Sequence, residues 1–297
     1  MSAGIVDYPC GYNDRPEIDA SVLEELGLSY PEALKRAESM AAIAKAISKR
    51  NGAYFAALPF CHTVEGEAMG GAVNFGDPES GPRAGEYRCR TLEDALSLPE
   101  IDFNAGRISE TLKACRICHD DGIAVALKIC GPFTILNMLL DLSVFFRGAR
   151  KNPDLVRAIY TKIKQELLRY AEKAVDAGVT IISYADPAGS VKILGPRMAE
   201  SVARDFTYGF LEELAKITGN RAVIALCPKT TFALIGTDLV TRRDVAMPES
   251  VSCYQEACAA LAGKVGIVGQ TCINDSHFAP SDRIIKEFQL RRKDKND

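Results

Sequence analysis

The chain contains 297 residues, of which 47% are hydrophobic and 25% are charged, and its formal net charge is −3. This composition is typical of a globular protein and excludes a disordered chain. The sequence has no basic patch, so we expect neither nucleic acid nor a membrane surface as a partner. Its first residues lack the basic segment and the apolar core of a signal peptide, which favours a cytoplasmic location with the ten cysteines reduced.

Helical segments alternate along the chain with shorter apolar runs. Residues 31–49, 153–177 and 196–218 are predicted to be helices, because helix-favouring residues fill them and glycine or proline stands at their ends. The apolar runs are short and most contain β-branched residues, which is typical of parallel strands buried on both faces. Five such strands are predicted, at residues 53–58, 123–129, 179–184, 222–226 and 265–268.

This alternation predicts an α/β protein with a parallel sheet, and the chain length is normal for one (β/α)8 TIM barrel. We expect a single domain over residues 1–297, with residues 1–50 as an N-terminal helical extension and residues 290–297 as a solvated tail. The most apolar run, residues 129–146, is interrupted by polar residues. It is shorter than the roughly 20 residues that a membrane helix needs, so we expect no membrane span.

Polar residues lie in or directly after the predicted strands. The carboxyl ends of parallel strands form the active-site face of α/β folds, so we expect these side chains to converge. Lys128 lies within the second strand and Tyr184 ends the third. The residues that follow the strands are Cys61, His62, Glu65, Glu67, Cys130, Asp186, Cys227 and Cys272. This convergence of titratable and nucleophilic groups predicts an enzyme.

Several of these segments together resemble the uroporphyrinogen-decarboxylase superfamily. The resemblance covers residues 52–274 and implies a TIM barrel. The segments that carry it, in chain order, are Gly131-Pro132-Phe133-Thr134, Asn152-Pro153-Asp154, Asp176-Ala177-Gly178, Tyr184-Ala185-Asp186-Pro187 and Leu194-Gly195-Pro196.

The segment from Pro59 to Gly70 is similar to a stretch of the methylcobamide:thiol methyltransferases in that superfamily, and the arginine-rich segment of the decarboxylases has no counterpart. Those methyltransferases hold zinc with a His-x-Cys and a later cysteine, which implies zinc ligation by Cys227 and Cys272. Zinc coordination deprotonates a thiol whose free pKa is about 8.5. The histidine position of the pattern is Ala225. A third ligand then comes from the carboxylates and the histidine near the strand ends.

Eight residues are the candidates for the site, each with an ordinary structural alternative. We assign catalysis to Glu65, Glu67 and Asp186, substrate binding to His62, Lys128 and Tyr184, and the metal to Cys227 and Cys272. Free cysteines are also common in cores, glutamates occur on solvated loops, and Asp-Pro opens ordinary turns. Lys128 either directs its amine to the barrel mouth or pairs with a carboxylate such as Glu67.

The resemblance implies a methyltransferase that moves a methyl group from a methylated corrinoid to a small thiol or related acceptor with the help of zinc. The corrinoid is expected on a separate partner protein, since no segment of the chain resembles a corrinoid-binding motif. Two alternatives stay open: a lyase of the uroporphyrinogen-decarboxylase type, and a non-catalytic barrel that binds a corrinoid protein. The missing arginine-rich segment argues against the first, and Ala225 leaves room for the second.

Overall fold

The computed structural model describes residues 18–291. The helices are α1 (Ala20–Leu26), α2 (Ala37–Arg50), α3 (Val64–Ala68), α4 (Leu92–Ser97), α5 (Gly106–Asp120), α6 (Pro132–Leu139), α7 (Leu142–Lys151), α8 (Pro153–Asp176), α9 (Val191–Val202), α10 (Tyr208–Thr218), α11 (Pro228–Gly236) and α12 (Tyr254–Ala260). The strands are β1 (Ala56–Leu58), β2 (Val73–Asn74), β3 (Arg83–Ala84), β4 (Val125–Cys130), β5 (Ile181–Ala185), β6 (Val223–Leu226), β7 (Val240–Ala246), β8 (Ile267–Val268) and β9 (Ile284–Leu290). Most of the predicted tail and the first 17 residues of the predicted N-terminal extension lie outside the described residues.

Seven of these strands form one sheet, in the order β1-β4-β5-β6-β8-β9-β7. The first five are parallel neighbours, and β9 runs antiparallel to both β8 and β7. The predicted α/β class and parallel sheet are confirmed, since each of the five predicted strands is present. Where a regular barrel has eight parallel strands, the described part of this sheet has five and continues with an antiparallel pair.

The predicted long helices are present, and their ends follow local capping. Helix α8 begins at Pro153 because the Asn152 side chain accepts a hydrogen bond from the Leu155 N–H at 3.1 Å. Helix α2 begins at Ala37, later than predicted, because a short 3-10 helix, Glu32–Leu34, comes first. Residues of α2 lie in the same hydrophobic cluster as the outer face of the sheet, so this helix packs directly on the sheet.

The two faces of the parallel strands separate two hydrophobic clusters. Alternate side chains point to opposite faces of a strand, and here one set packs in a cluster with helices such as α2 and α8, while the other packs in a second cluster that includes α12. On the inner face, the cross-strand register places Ala126, Ile181 and Val223 in one layer. The next layer toward the carboxyl ends consists of Lys128, Ser183 and Ala225. The interior therefore changes from apolar to polar just below the carboxyl ends of the strands.

Candidate functional site

A cleft of about 450 Å³ lies above this second layer, at the carboxyl ends of the parallel strands. Its volume is within the range of about 300–1,000 Å³ that is usual for ligand sites. Five of the eight predicted site residues line it, and they are His62, Lys128, Asp186, Cys227 and Cys272. Two lysines that sequence reasoning did not single out, Lys192 and Lys229, line the cleft as well.

Asp186 is held at the amino end of α6 by three hydrogen bonds. Its carboxylate accepts from the Phe133 N–H at 3.1 Å, and from the N–H and hydroxyl of Thr134 at 2.8 and 2.7 Å. Burial raises the pKa of this carboxyl above its usual range, although these hydrogen bonds oppose the shift. A Cβ at Gly131 would lie 2.4 Å from the Asp186 Cβ, and one at Gly189 would lie 2.3 Å from Oδ2. Glycine at these two positions therefore leaves the space that the Asp186 side chain occupies.

Glu65 does not line the cleft. Its side chain is buried, with 1% of the residue exposed, and Oε1 accepts a hydrogen bond from the Cys130 N–H at 2.8 Å. Oε2 has no hydrogen-bond partner. Burial raises the pKa of the carboxyl, against the effect of the Cys130 N–H. This geometry ties α3 to the end of β4.

Glu67 pairs with an arginine that sequence reasoning missed. The Arg107 Nε donates to Glu67 Oε2 at 2.5 Å, and its other nitrogens donate to the Thr63 hydroxyl at 2.7 Å and toward the Cys61 sulfur at 3.4 Å. The Arg107 side chain is only 4% exposed, whereas Glu67 is 31% exposed. One guanidinium thus joins α5 to α3 and to the segment before it.

The structure places Lys128 on the cleft, which is one of the two orientations expected for it.

His62 and Tyr184 were both predicted to bind substrate, and the structure separates them. His62 lines the cleft, with Nδ1 3.4 Å from the Cys130 sulfur. Tyr184 is fully buried on the outer face of β5, where its ring centroid is 5.1 Å from that of Phe210. Burial raises the pKa of its phenol well above the usual range. Strand pleating explains this placement, because Ser183 and Ala185 take the inner face and Tyr184 between them takes the outer one.

A model of the uroporphyrinogen decarboxylase (URO-D) family matches residues 20–271 of the chain. The chain belongs to this family. The methylcobamide:CoM methyltransferase MtaA of Methanosarcina barkeri is 24% identical over 251 residues, which are 84% of this chain and 73% of the relative. The methylcobamide:CoM methyltransferase MtbA of Methanosarcina mazei is 26% identical over 215 residues, which are 71% of this chain and 63% of the relative.

The comparison with solved structures agrees with the family match. A methyltransferase from Methanosarcina mazei superposes with a TM-score of 0.63 at 25% identity, covering 77% of this chain and 68% of that one. The predicted superfamily is therefore confirmed, and these relatives support its methyltransferase branch over the decarboxylases. Within residues 18–291, no helix combines the length and the apolar character needed to cross a membrane.

The side chains at the cleft do not form the zinc centre that the resemblance implies. Cys227 and Cys272 line the same cleft, but residues 18–291 contain no group of three histidine, cysteine, aspartate or glutamate side chains arranged to hold a metal ion. Ala225 lies two residues before Cys227 on the inner face of β6, where the resemblance places a histidine. The described residues thus bring together two of the three expected ligands.

The spacing of residues in α5 could have identified Arg107 as a buried arginine. It lies on the same face of α5 as the buried residues Thr111, Ala114 and Cys118, at helical spacing. An arginine within a buried stripe requires a charged or polar partner, because an unpaired buried charge is costly. Lys229 follows β6 by three residues, so its position after a strand could have identified it, whereas Lys192 lies in α9 and gave no comparable signal.

Proposed function

We propose that this protein transfers a methyl group from a methylated corrinoid, carried by a separate protein, to a small thiol or related acceptor bound in the cleft. The observation that carries the proposal is the placement of Cys227, Cys272 and three lysines around one cleft at the carboxyl ends of the strands. Membership of the family and likeness to methylcobamide:CoM methyltransferases support the same activity. We place the reaction in the cytoplasm.

The reaction that we propose is a displacement at the methyl carbon. The acceptor thiolate forms a sulfur–carbon bond with the methyl group while the cobalt–carbon bond breaks, and the bonding electron pair stays with the corrinoid. The thiol proton must leave before or during the attack. His62 lines the cleft and is of the residue type that exchanges protons near neutral pH, so we assign this proton transfer to it.

Positive charge around the cleft favours the thiolate form of the acceptor. Lys128, Lys192 and Lys229 line it, against a single carboxylate, that of Asp186. Nearby cations stabilise the charged form of an acid and lower its pKa. Helix α11, which begins directly after Cys227, also points its amino end at this region, where the helix dipole favours negative charge. These groups suit an acceptor that binds as an anion.

No step of this mechanism passes through zinc, because the described side chains do not supply the third ligand. Asp186 has a positioning role in this mechanism, since its oxygens are occupied by the amino end of α6. Glu65 and Glu67 have structural roles for the same reason, as partners of Cys130 and Arg107.

The test is thiol-dependent demethylation of free methylcobalamin by the purified protein, followed by the absorbance of the cobalt–carbon bond and by mass spectrometry of the methylated thiol. We expect Lys229→Met and His62→Ala to lower kcat/KM by roughly tenfold or more, as for loss of a group used in the transition state. Cys89→Ser serves as a control, because Cys89 is buried and does not line the cleft.

Two outcomes would contradict the proposal. Methyl transfer that is absent with free methylcobalamin and with every corrinoid protein tried would favour the non-catalytic barrel. Release of carbon dioxide from a carboxylated substrate would favour the lyase.

A further inference from the structure

A second cavity of about 200 Å³ adjoins the cleft on one side. It lies between α2, β1 and the segment that follows β8, and its polar lining includes Ser48, Asn51 and Gln255. Lys128 and Asn274 line both this side cavity and the cleft. The two spaces therefore meet at a cationic side chain and an amide side chain.

The side cavity lies beside β1, which forms one edge of the sheet among the described residues. Within the described residues, β1 pairs with β4 on one edge and with no strand on the other. The Gln255 side chain, 2% exposed, spans this gap. Its Oε1 accepts from the Tyr54 N–H at 3.4 Å, and its Nε2 donates to the Ile273 carbonyl at 2.7 Å. One side chain thus replaces a strand pairing, and space is left beside it.

Small side chains keep the space open. Ala44 on α2, Ala53 before β1 and Ala57 within β1 all line the side cavity. Phe55 and Phe60 add apolar surface to it. The lining therefore offers hydrogen-bonding groups on one part and apolar contact on another, which is the usual character of a small-molecule site.

The volumes of the side cavity and the cleft favour one ligand that occupies both over two separate ligand sites. A ligand pocket usually has about 300–1,000 Å³, so the side cavity is too small to be a typical site by itself. The cleft, of about 450 Å³, exceeds what a short thiol needs, and the side cavity extends it past Lys128.

We propose that the side cavity binds the tail of the acceptor, and that the acceptor is an extended thiol with hydrogen-bonding groups along its tail. The reacting sulfur lies in the cleft beside Cys227 and Cys272, and the tail passes Lys128 and Asn274 to reach Gln255. This inference rests on the proposed methyl transfer and adds the class of acceptor. It also leaves the mouth of the cleft clear for the corrinoid, because the tail lies to one side.

The experiment compares a short thiol, 2-mercaptoethanol, with an extended one, pantetheine, as acceptors of the methyl group of free methylcobalamin. We expect the wild-type protein to have a kcat/KM at least roughly tenfold higher for pantetheine, mainly through KM. Ala57→Leu fills the side cavity and should lower the ratio of the two kcat/KM values to near one. Ala149→Leu is the matched control, because Ala149 lines an outer cavity of similar volume, about 220 Å³, between α7, α8 and α9.

Calorimetric titration of pantetheine without methylcobalamin measures binding to the side cavity independently of turnover. Binding should weaken at least roughly tenfold in Ala57→Leu and stay unchanged in Ala149→Leu, as expected when contact with the tail is lost. Ser276→Leu narrows the same cavity from the opposite segment and replaces Ala57→Leu if that variant does not fold.

The outcomes separate this inference from the proposed activity. Methyl transfer to both thiols with equal kcat/KM in the wild type, or an unchanged ratio in the filled variants, would overturn the side cavity as a tail site and leave methyl transfer intact. Absence of methyl transfer, with pantetheine binding that Ala57→Leu still weakens, would overturn the activity and support the binding site.

Discussion

Replacing Glu65 tests whether this buried carboxyl is catalytic or structural. Two variants separate the roles: Glu65→Gln keeps an oxygen that can accept from the Cys130 N–H, and Glu65→Ala does not. The wild-type hydrogen bond is 2.8 Å long and the residue is 1% exposed. Because Glu65 does not line the cleft, we expect Glu65→Gln to retain the wild-type kcat for methyl transfer.

The loss of stability expected for Glu65→Ala follows from the Cys130 N–H, which this variant leaves without an acceptor. An amide N–H that is buried without an acceptor costs about 1–3 kcal/mol, so Glu65→Ala should lower the free energy of unfolding by about that amount. The glutamine variant exchanges the unpartnered Oε2 for an unpartnered amide nitrogen and should stay close to wild type at acid pH. The two variants should therefore differ clearly in urea unfolding.

The pH dependence of stability supplies a second measurement on the same residue. Burial raises the pKa of Glu65 in the folded protein, so the folded state holds this proton at pH values where the unfolded state, with a pKa of about 4.3, has released it. The stability that the protonated carboxyl contributes is complete below that value and is lost as pH rises through the folded pKa. Glu65→Gln cannot titrate, and each unit of pKa elevation in the wild type corresponds to about 1.4 kcal/mol.

The assay is urea unfolding of wild type and both variants at several pH values from acid to mildly alkaline. The free energy of unfolding of Glu65→Gln should rise relative to wild type as pH increases. A constant difference between them across the range would refute the raised pKa. A Glu65→Ala variant as stable as wild type would refute the hydrogen-bond argument, and a Glu65→Gln variant without activity would restore a catalytic role.

Three further predictions concern the remaining charged and metal-directed positions. Asp186→Asn loses the acceptor for one of its two backbone donors and should lower the free energy of unfolding by about 1.5–3 kcal/mol, measured in urea; an unchanged value would exclude the helix-capping role. Arg107→Lys cannot keep all three contacts of the guanidinium and should cost about 1–3 kcal/mol, whereas Arg157→Lys on the surface should cost less than about 0.5 kcal/mol; equal costs would contradict the structural role of Arg107. Ala225→His supplies a third ligand beside Cys227 and Cys272 and should raise the zinc retained after dialysis, measured by mass spectrometry of the metal. Equal zinc content in wild type and variant would show that the two cysteines do not face position 225 as a ligand set.

The parallel strands could be predicted from sequence because both of their faces are buried. All five predicted runs overlap observed strands, with ends that differ by a few residues. Strand β7 could not be predicted in this way, since its central residues Thr241, Arg242, Arg243 and Asp244 are exposed and give no apolar run. It is a strand because its backbone pairs with β9 along its full length, which is a contact between distant segments.

Part of the cleft lining was predicted from sequence, and the placements that differ have a physical reason. Position after a strand correctly placed Asp186, Cys227 and Cys272 on one cleft. The same rule gave no information on burial, so Glu65 was grouped with residues that line the cleft, although it is 1% exposed and does not line it. Side chains alternate between the two faces of a strand, but the register of β4 with β5 decides which set of β5 faces inward, so the outer position of Tyr184 could not be assigned from sequence.

The layered interior explains how a member of this family can lose an expected metal ligand without losing its fold. Ala225 lies in the second inner layer, beside Ser183 on β5 and Val268 on β8. The outer faces of the same strands pack on the helices, and their contacts do not involve this side chain. Substitution at position 225 therefore leaves the outer-face contacts in place and acts on the inner cluster, where Ala225 is buried two residues before the cleft residue Cys227. It follows that family membership settles the architecture, and that the acceptor and the way it is activated must be decided by the inner-face residues of this chain.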